Sequence, residues 1–200
     1  DTLNPLDGGV FGLYAGSDIK NADGSVVVSK GTLIEKAVTG EDGKAVFTAD
    51  LTIGFSYDVR EIQAPEGYVR NQADVYSFTF SYTNDSEAKV TFTHTFTNER
   101  VNATIRLQKK DAETNQAAPQ GDATLENAVY GLYAREDIVH PDGATGVIYK
   151  AGDRVATLTT DVNGKASVEN LYLGEYFIKE ITPPVGYLAD EQEHDLVCSY

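Results

Sequence analysis

Short stretches in which apolar and polar residues alternate run along the whole chain, and turn sequences of the Asp-Gly, Asn-Gly and Pro-x-Gly types separate them. Side chains alternate between the two faces of a strand, so this pattern predicts strands with one buried face. No segment has a convincing helical period. The clearest candidates are Val10–Ala15, Lys44–Ala49, Ser56–Ile62, Val75–Tyr82, Lys89–Asn98, Thr104–Lys109, Val129–Ala134, Val155–Thr159, Lys165–Glu169 and Glu175–Ile181.

The chain contains an internal repeat. The segment Val10–Ala15 returns 119 residues later as Val129–Ala134, and Tyr57–Tyr68 returns at the same shift as Tyr176–Tyr187. A spacing kept over that length indicates two copies of one fold, joined between residues 99 and 103. The prediction is an all-β chain of two tandem Ig-like or prealbumin-like antiparallel β-sandwich modules, residues 1–100 and 103–200.

Four polar residues fall on predicted apolar strand faces. Glu61 and Glu180 share the parity of the apolar residues in their strands, Asn98 continues an apolar face that includes Phe96, and Lys109 follows Ile105 and Leu107 at the same parity. Each residue alone has an ordinary explanation. The lysine can extend to water, a glutamate can cap backbone amides, and the asparagine can end a strand.

Together, an amine, a carboxyl and a carboxamide in a dry core predict a specific chemistry. Burial favours the neutral forms of lysine and glutamate, and a neutral amine is a nucleophile. At high effective concentration the amine can attack the carboxamide while the glutamate moves protons and ammonia leaves. The product is a covalent bridge between terminal strands.

Composition narrows the function classes. The 200 residues carry 31 acidic and 16 basic side chains, a formal net charge of −15, which disfavours nucleic acid and anionic membranes as partners. The single cysteine excludes a disulfide framework, and no run is long and apolar enough to span a membrane. The start at Asp1 and the lack of methionine predict a processed product or a fragment of a longer protein.

Several motifs resemble the collagen-adhesin B-type module, or pilin prealbumin-like domain, of Gram-positive surface proteins. They are Leu107-Gln108-Lys109-Lys110-Asp111 with Thr114, the Val-x-Gly-Leu-Tyr strand of each copy, the repeated Glu-x-x-x-Pro-x-Gly-Tyr box at Glu61 and Glu180, and Phe96-Thr97-Asn98. The resemblance covers nearly the whole chain.

This resemblance implies roles for the four polar residues and a place for the protein. Lys109 and Asn98 correspond to the crosslinking residues, and Glu61 and Glu180 to the catalytic glutamates of a bond formed once. It implies an extracellular, cell-wall-anchored stalk of an adhesin or pilin, with other modules of the same protein as partners.

Neither copy holds a complete set of three residues. By analogy, the first copy's lysine would lie about two residues before Asp1, and the second copy's asparagine roughly thirty residues beyond Tyr200. We therefore expect no such bond within these residues and two in a longer parent protein.

The sequence leaves two other functions open. A binding module for host matrix protein or glycan would use an aromatic face of Tyr76, Phe78, Phe80 and Tyr82, although these rings are expected to face the core. An enzyme is not expected, because His94, His140 and His194 are far apart and belong to no nucleophile or metal motif. His94 is expected to be a core histidine. No cofactor or metal is predicted, since the Asp-Gly and Asn-Gly pairs lack the acidic ligands of a calcium loop.

Overall fold

The computed structural model describes residues 4–81 and 90–199, and all its regular elements over these ranges are strands. The chain divides into two compact units, Asp1–Arg100 and Val101–Tyr200. The prediction of an all-β, tandem, antiparallel fold is confirmed. The strands of unit 1 are β1 (Val10–Ala15), β2 (Ile19–Lys20), β3 (Val26–Val28), β4 (Leu33–Val38), β5 (Ser56–Gln63), β6 (Tyr68–Val69), β7 (Val75–Thr79) and β8 (Glu99–Arg100).

Over its described residues, unit 2 repeats the main sheet of unit 1, has a strand before it, and lacks an equivalent of the short pair β6 and β8. Its strands are β9 (Ala103–Gln108), β10 (Val129–Ala134), β11 (Ile138–Val139), β12 (Val147–Tyr149), β13 (Arg154–Thr159), β14 (Lys165–Leu171), β15 (Gly174–Thr182) and β16 (Glu193–Cys198).

Each unit is built on one four-stranded antiparallel sheet, in the order β4-β1-β5-β7 in unit 1 and β13-β10-β15-β16 in unit 2. The registers are equivalent, because Phe11 lies opposite Glu61 in unit 1 and Tyr130 lies opposite Glu180 in unit 2. In unit 2, β14 and β9 form a second, two-stranded sheet. The repeat in the sequence therefore places each glutamate at the same point of the same sheet.

The core of each unit centres on a buried tyrosine in the glutamate-bearing strand. Tyr57 and Tyr176 are both 0% exposed. The Tyr57 hydroxyl accepts a hydrogen bond from Thr52 N and donates one to Thr52 O, and the Tyr176 hydroxyl donates to Tyr172 O. Each ring can be buried because the backbone of a nearby loop satisfies its hydroxyl.

The glycine of the Val-x-Gly-Leu-Tyr motif leaves space for the tyrosine two residues later. A Cβ at Gly131 would lie 2.5 Å from the Tyr133 ring, and one at Gly12 would lie 2.6 Å from the Tyr14 ring. The Tyr133 ring stacks on Phe177, with centroids 5.0 Å apart. The motif thus encodes an aromatic ring folded across its own strand.

Two predicted strands of unit 1 are absent from the sheets. Residues 44–49 and 90–98 belong to no ladder, although residues 165–171, which match the first of these segments, form β14. In unit 2, β14 takes its hydrogen bonds from β9. Residues 4–9 of unit 1 include no strand equivalent to β9, so residues 44–49 have no ladder to join. Strand β7 ends at Thr79, and two ends of predicted strands, Tyr82 and Lys89, lie outside the described residues.

We expect Tyr57→Phe to destabilise unit 1 by about 1–3 kcal/mol, because Thr52 loses a hydrogen-bonding partner for both of its backbone groups. Urea unfolding followed by amide resonances of each unit measures the change. Tyr176→Phe is the matched variant and should lower the stability of unit 2 instead. Equal effects on both units from either variant would contradict this assignment.

Candidate functional site

In unit 1, Glu61 and Asn98 lie in direct contact. Glu61 is 6% exposed, on the face of β5 that also carries Tyr57 and Val59. The Asn98 side-chain amide lies 2.9 Å from each Glu61 carboxylate oxygen, and it also donates to Val69 O at 3.0 Å. The backbone N–H of Asn71 donates to Glu61 Oε2 at 3.0 Å. The carboxamide is therefore held against a buried carboxylate.

Aromatic contacts set the register of the segment that carries Asn98. Alternate side chains of this segment lie over rings of the main sheet, with centroid distances of 4.5 Å for Phe92–Phe78, 4.7 Å for His94–Tyr76 and 4.9 Å for Phe96–Phe11. The alternation predicted for residues 90–98 is thus kept without ladder hydrogen bonds.

The prediction that His94 is a core histidine is wrong. Its side chain is 33% exposed, and His94 Nε2 lies 3.0 Å from Asp74 Oδ1 at the margin of the sheet. The ring stacks on Tyr76 at an interplanar angle of 5°, so one face is covered while the edge reaches a carboxylate. His94 therefore joins the aromatic contacts that align this segment.

In unit 2, the carboxylate pairs with the lysine. Lys109 Nζ lies 2.7 Å from Glu180 Oε1, and the Lys109 and Glu180 side chains are 11% and 0% exposed. Lys109 follows β9, where its backbone N–H donates to Gly164 O at 2.7 Å. Glu180 Oε2 accepts a hydrogen bond of 2.7 Å from Asp190 N. The sequence-predicted residues therefore form two pairs, one within each unit.

A groove opens beside the lysine of unit 2. Its volume is about 340 Å³, and Lys109, Tyr130, Ile178, His194 and Leu196 are among the residues that line it. Three of these match the ring positions that residues 92–96 cover in unit 1: Leu196 for Phe78, His194 for Tyr76 and Tyr130 for Phe11. The groove occupies the place that the asparagine-bearing segment fills in the first unit.

Asp111, two residues after Lys109, organises the loop next to the site. It is 4% exposed and accepts hydrogen bonds from the Thr114 backbone and hydroxyl, the Glu113 N–H, the Gln120 amide and the Tyr187 hydroxyl. These donors, the Thr114 N–H first and the Gln120 amide second, hold the pKa of Asp111 far below its usual range. Sequence reasoning recognised the Asp-x-x-Thr spacing only as part of a resemblance and missed this network.

Away from these sites, the described residues include a buried histidine in contact with an aspartate. His140 Nδ1 lies 2.9 Å from Asp142 Oδ1 in a buried turn of unit 2. Within residues 4–81 and 90–199, no three histidine, cysteine or acidic side chains converge as metal ligands do. No helix capable of crossing a membrane occurs in these ranges either.

The sequence matches the SpaA prealbumin-like fold domain twice, over residues 1–95 and 103–199. The chain belongs to this family. The two matches cover nearly all of the chain, and they confirm the resemblance inferred from the Lys109 and Glu180 motifs. No curated relative matches the chain.

Solved structures also resemble this SpaA-type chain, and the first of them shares its fold. The Bacillus anthracis TIE protein matches 97% of the chain at 22% identity with a TM-score of 0.60, and the chain covers 28% of that protein. A streptococcal ancillary pilin matches 98% at 19% identity and a TM-score of 0.37, over 55% of its length. The shaft pilin SpaA of Lactobacillus rhamnosus GG matches 98% at 17% identity and a TM-score of 0.35, over 84% of its length. The chain thus spans about a quarter of the first of these structures and just over half of the second.

We expect Phe96→Ala to loosen Asn98, because it removes the ring that packs on Phe11 two residues before the carboxamide. Unit 1 should lose about 2–4 kcal/mol of unfolding free energy, and the Asn98 side-chain amide protons should exchange faster with solvent. Thr97→Ala is the control, since Thr97 is exposed on the opposite side of the segment. Unchanged exchange at Asn98 in Phe96→Ala would contradict this role.

Asp111 should make unit 2 sensitive to acid. Its pKa is lowered in the folded unit, so its contribution is complete above the unfolded value of about 4 and is lost as pH falls from there towards the folded value. We expect Asp111→Asn to remove this acid-dependent part of the stability, measured by urea unfolding at a series of pH values. Asp122→Asn, at an exposed position of the same loop, should leave the acid dependence intact.

Proposed function

We propose that the two units are stalk modules of a bacterial surface protein, each built to form one Lys–Asn isopeptide bond with a buried glutamate as proton carrier. The observation that carries this proposal is the pairing of Glu61 with Asn98 and of Glu180 with Lys109 at equivalent points of the two sheets. Membership of the SpaA prealbumin-like family supports it.

The reaction balances without a cofactor. The Lys109 ammonium gives a proton to Glu180 across their 2.7 Å contact, and the neutral amine attacks the carbon of an asparagine carboxamide. A carbon–nitrogen bond to the lysine forms, the lysine nitrogen loses a second proton, and the bond to the amide nitrogen breaks. The glutamate relays both lysine protons to the departing nitrogen, which leaves as an ammonium ion, and the glutamate ends as a carboxylate. The site reacts once, so this is not enzymatic turnover.

Each unit supplies a different half of this reaction. Unit 1 presents the acceptor, because the nitrogen of the Asn98 carboxamide, which would leave as ammonia, lies 2.9 Å from both oxygens of Glu61. Unit 2 presents the nucleophile, because Lys109 is paired with Glu180 beside the groove. The proposal also includes the missing half of each site. A lysine-bearing strand would complete the site of unit 1, and an asparagine-bearing strand would fill the groove of unit 2.

Such a bond suits a protein that resists tension and proteases outside the cell. Closing a loop of nearly a whole module restricts the unfolded chain by about 4–5 kcal/mol, if the loop entropy of disulfides applies. Forced unfolding depends on the unfolding rate, which a tie between terminal strands lowers. The proposal places the protein at the cell wall, with further modules of the same protein as its neighbours.

The alternative of a module that binds host matrix protein or glycan has less support. The rings of Tyr76 and Phe78 are half-buried and lie under His94 and Phe92. Phe80 also packs against Phe92. These aromatic side chains are therefore used within unit 1 and do not form an open platform for a sugar.

The test is the mass of a longer chain that carries a lysine-bearing strand before β1 and an asparagine-bearing strand after β16. We expect a mass lower than the sequence mass by two ammonia molecules. Glu61→Ala and Glu180→Ala should each prevent the loss of one ammonia molecule. A tryptic peptide crosslinked through Lys109 should disappear only in Glu180→Ala. Glu169→Ala, an exposed glutamate on β14, is the control and should leave both bonds. An unmodified mass of the unsubstituted chain rejects the proposal.

A further inference from the structure

The two glutamate sites differ at two neighbouring positions. The residue opposite the glutamate in the adjacent strand is Phe11 in unit 1 and Tyr130 in unit 2. The residue whose backbone N–H donates to the glutamate is Asn71 in unit 1 and Asp190 in unit 2. Unit 2 thus adds a hydroxyl and a carboxylate to an otherwise equivalent site.

The Tyr130 hydroxyl acts on Glu180, and its ring lies near Lys109. Tyr130 is 7% exposed, and Lys109 Nζ lies 5.8 Å from the centre of its ring. Burial first, and then the charge of Glu180 and a hydrogen bond to it, raise the pKa of Tyr130, so the phenol stays protonated and donates. A donated hydrogen bond stabilises a carboxylate, and the face of an aromatic ring stabilises an ammonium.

Asp190 places a negative charge at the same site. It keeps the turn found in unit 1, because Asp190 Oδ1 accepts from Gln192 N at 3.0 Å, as Asn71 Oδ1 accepts from Ala73 N at 3.2 Å. Its other oxygen lies 2.9 Å from His194 Nε2. The Gln192 N–H and His194 lower the pKa of Asp190 most, and the charge of Lys109 contributes, so Asp190 carries a negative charge that attracts the Lys109 side chain.

These contacts matter because condensation needs the uncharged pair. The proton shared by Lys109 and Glu180 lies either on the nitrogen, as an ion pair, or on the carboxyl, which frees the amine to attack. Tyr130 and Asp190 both favour the ion pair, and His194, which lines the groove with them, is held by Asp190. Unit 1 has Phe11 and Asn71 at these positions, so it lacks both the hydroxyl and the carboxylate.

We propose that Tyr130 and Asp190 are positioning residues that hold Lys109 and Glu180 in the ion-paired state, so that unit 2 condenses more slowly than it would with the phenylalanine and asparagine of unit 1 at these positions. This inference rests on the proposed function. The location of the proton shared by Lys109 and Glu180 can nevertheless be measured in the present chain, without an isopeptide bond being formed.

The experiment uses three variants whose new residues are those of unit 1: Tyr130→Phe, Asp190→Asn and the double variant. Each folded protein is pulsed with a small amount of acetic anhydride at a series of pH values. Mass spectrometry then gives acetylation of Lys109 relative to Lys20 and Lys36, two exposed lysines of unit 1 that serve as internal references. Urea unfolding confirms that unit 2 remains folded.

At neutral pH, we expect Lys109 in the double variant to react roughly tenfold faster than in the natural protein, with intermediate values for the single variants. The pH profile of labelling should also move to lower pH. A change in access to the groove alone would multiply the rate by one factor at every pH and leave the profile in place, and that result would overturn the inference. Unchanged labelling would overturn it as well.

The two proposals fail in different ways. If the labelling profile moves but the longer chain forms no bond in unit 2, the inference about the proton stands and the proposed function fails. If the bond forms but substitution of Tyr130 and Asp190 leaves the labelling of Lys109 unchanged, the proposed function stands and the inference about these two residues is rejected.

Discussion

A carboxylate buried on the apolar face of a sheet is the constraint on which the rest of each unit depends. As whole residues, backbone included, Glu61 and Glu180 are each 6% exposed, and a buried carboxylate without partners would cost several kcal/mol. Each unit therefore surrounds it with donors: a backbone N–H from the following turn and either an amide or an ammonium. The Pro-x-Gly turn and the adjoining strand ends are placed to meet this requirement.

Much of this arrangement could be predicted from parity and repetition. The alternation in β5 and β15 shows that the glutamates point inward, and the 119-residue shift shows that the two sites are equivalent. Strand β16 escaped prediction because most of its residues are exposed, and residues 44–49 were predicted as a strand because a pattern does not reveal whether a hydrogen-bonding neighbour exists. Ladders are long-range contacts, so local sequence specifies them poorly.

The polar surroundings of the site were the least predictable part. Asp111 collects donors from Thr114, Gln120 and Tyr187, the last of which is 76 residues away in sequence. Likewise, Tyr130 differs from its counterpart Phe11 by one hydroxyl, a change that an apolar pattern treats as neutral. Only the folded chain brings these donors to Asp111 and the Tyr130 hydroxyl to Glu180. The effect of the Tyr130 hydroxyl can be inferred only by comparing the two units.

The short ladder between β6 and β8 has a mechanical consequence. Tyr68 pairs with Arg100 and Val69 with Glu99, immediately after Asn98. A force on the chain where it leaves unit 1 would first open this two-residue ladder, one residue pair after the other. A covalent anchor at Asn98 would stop the peeling there, so only a few residues of slack would be released before the backbone itself carried the force.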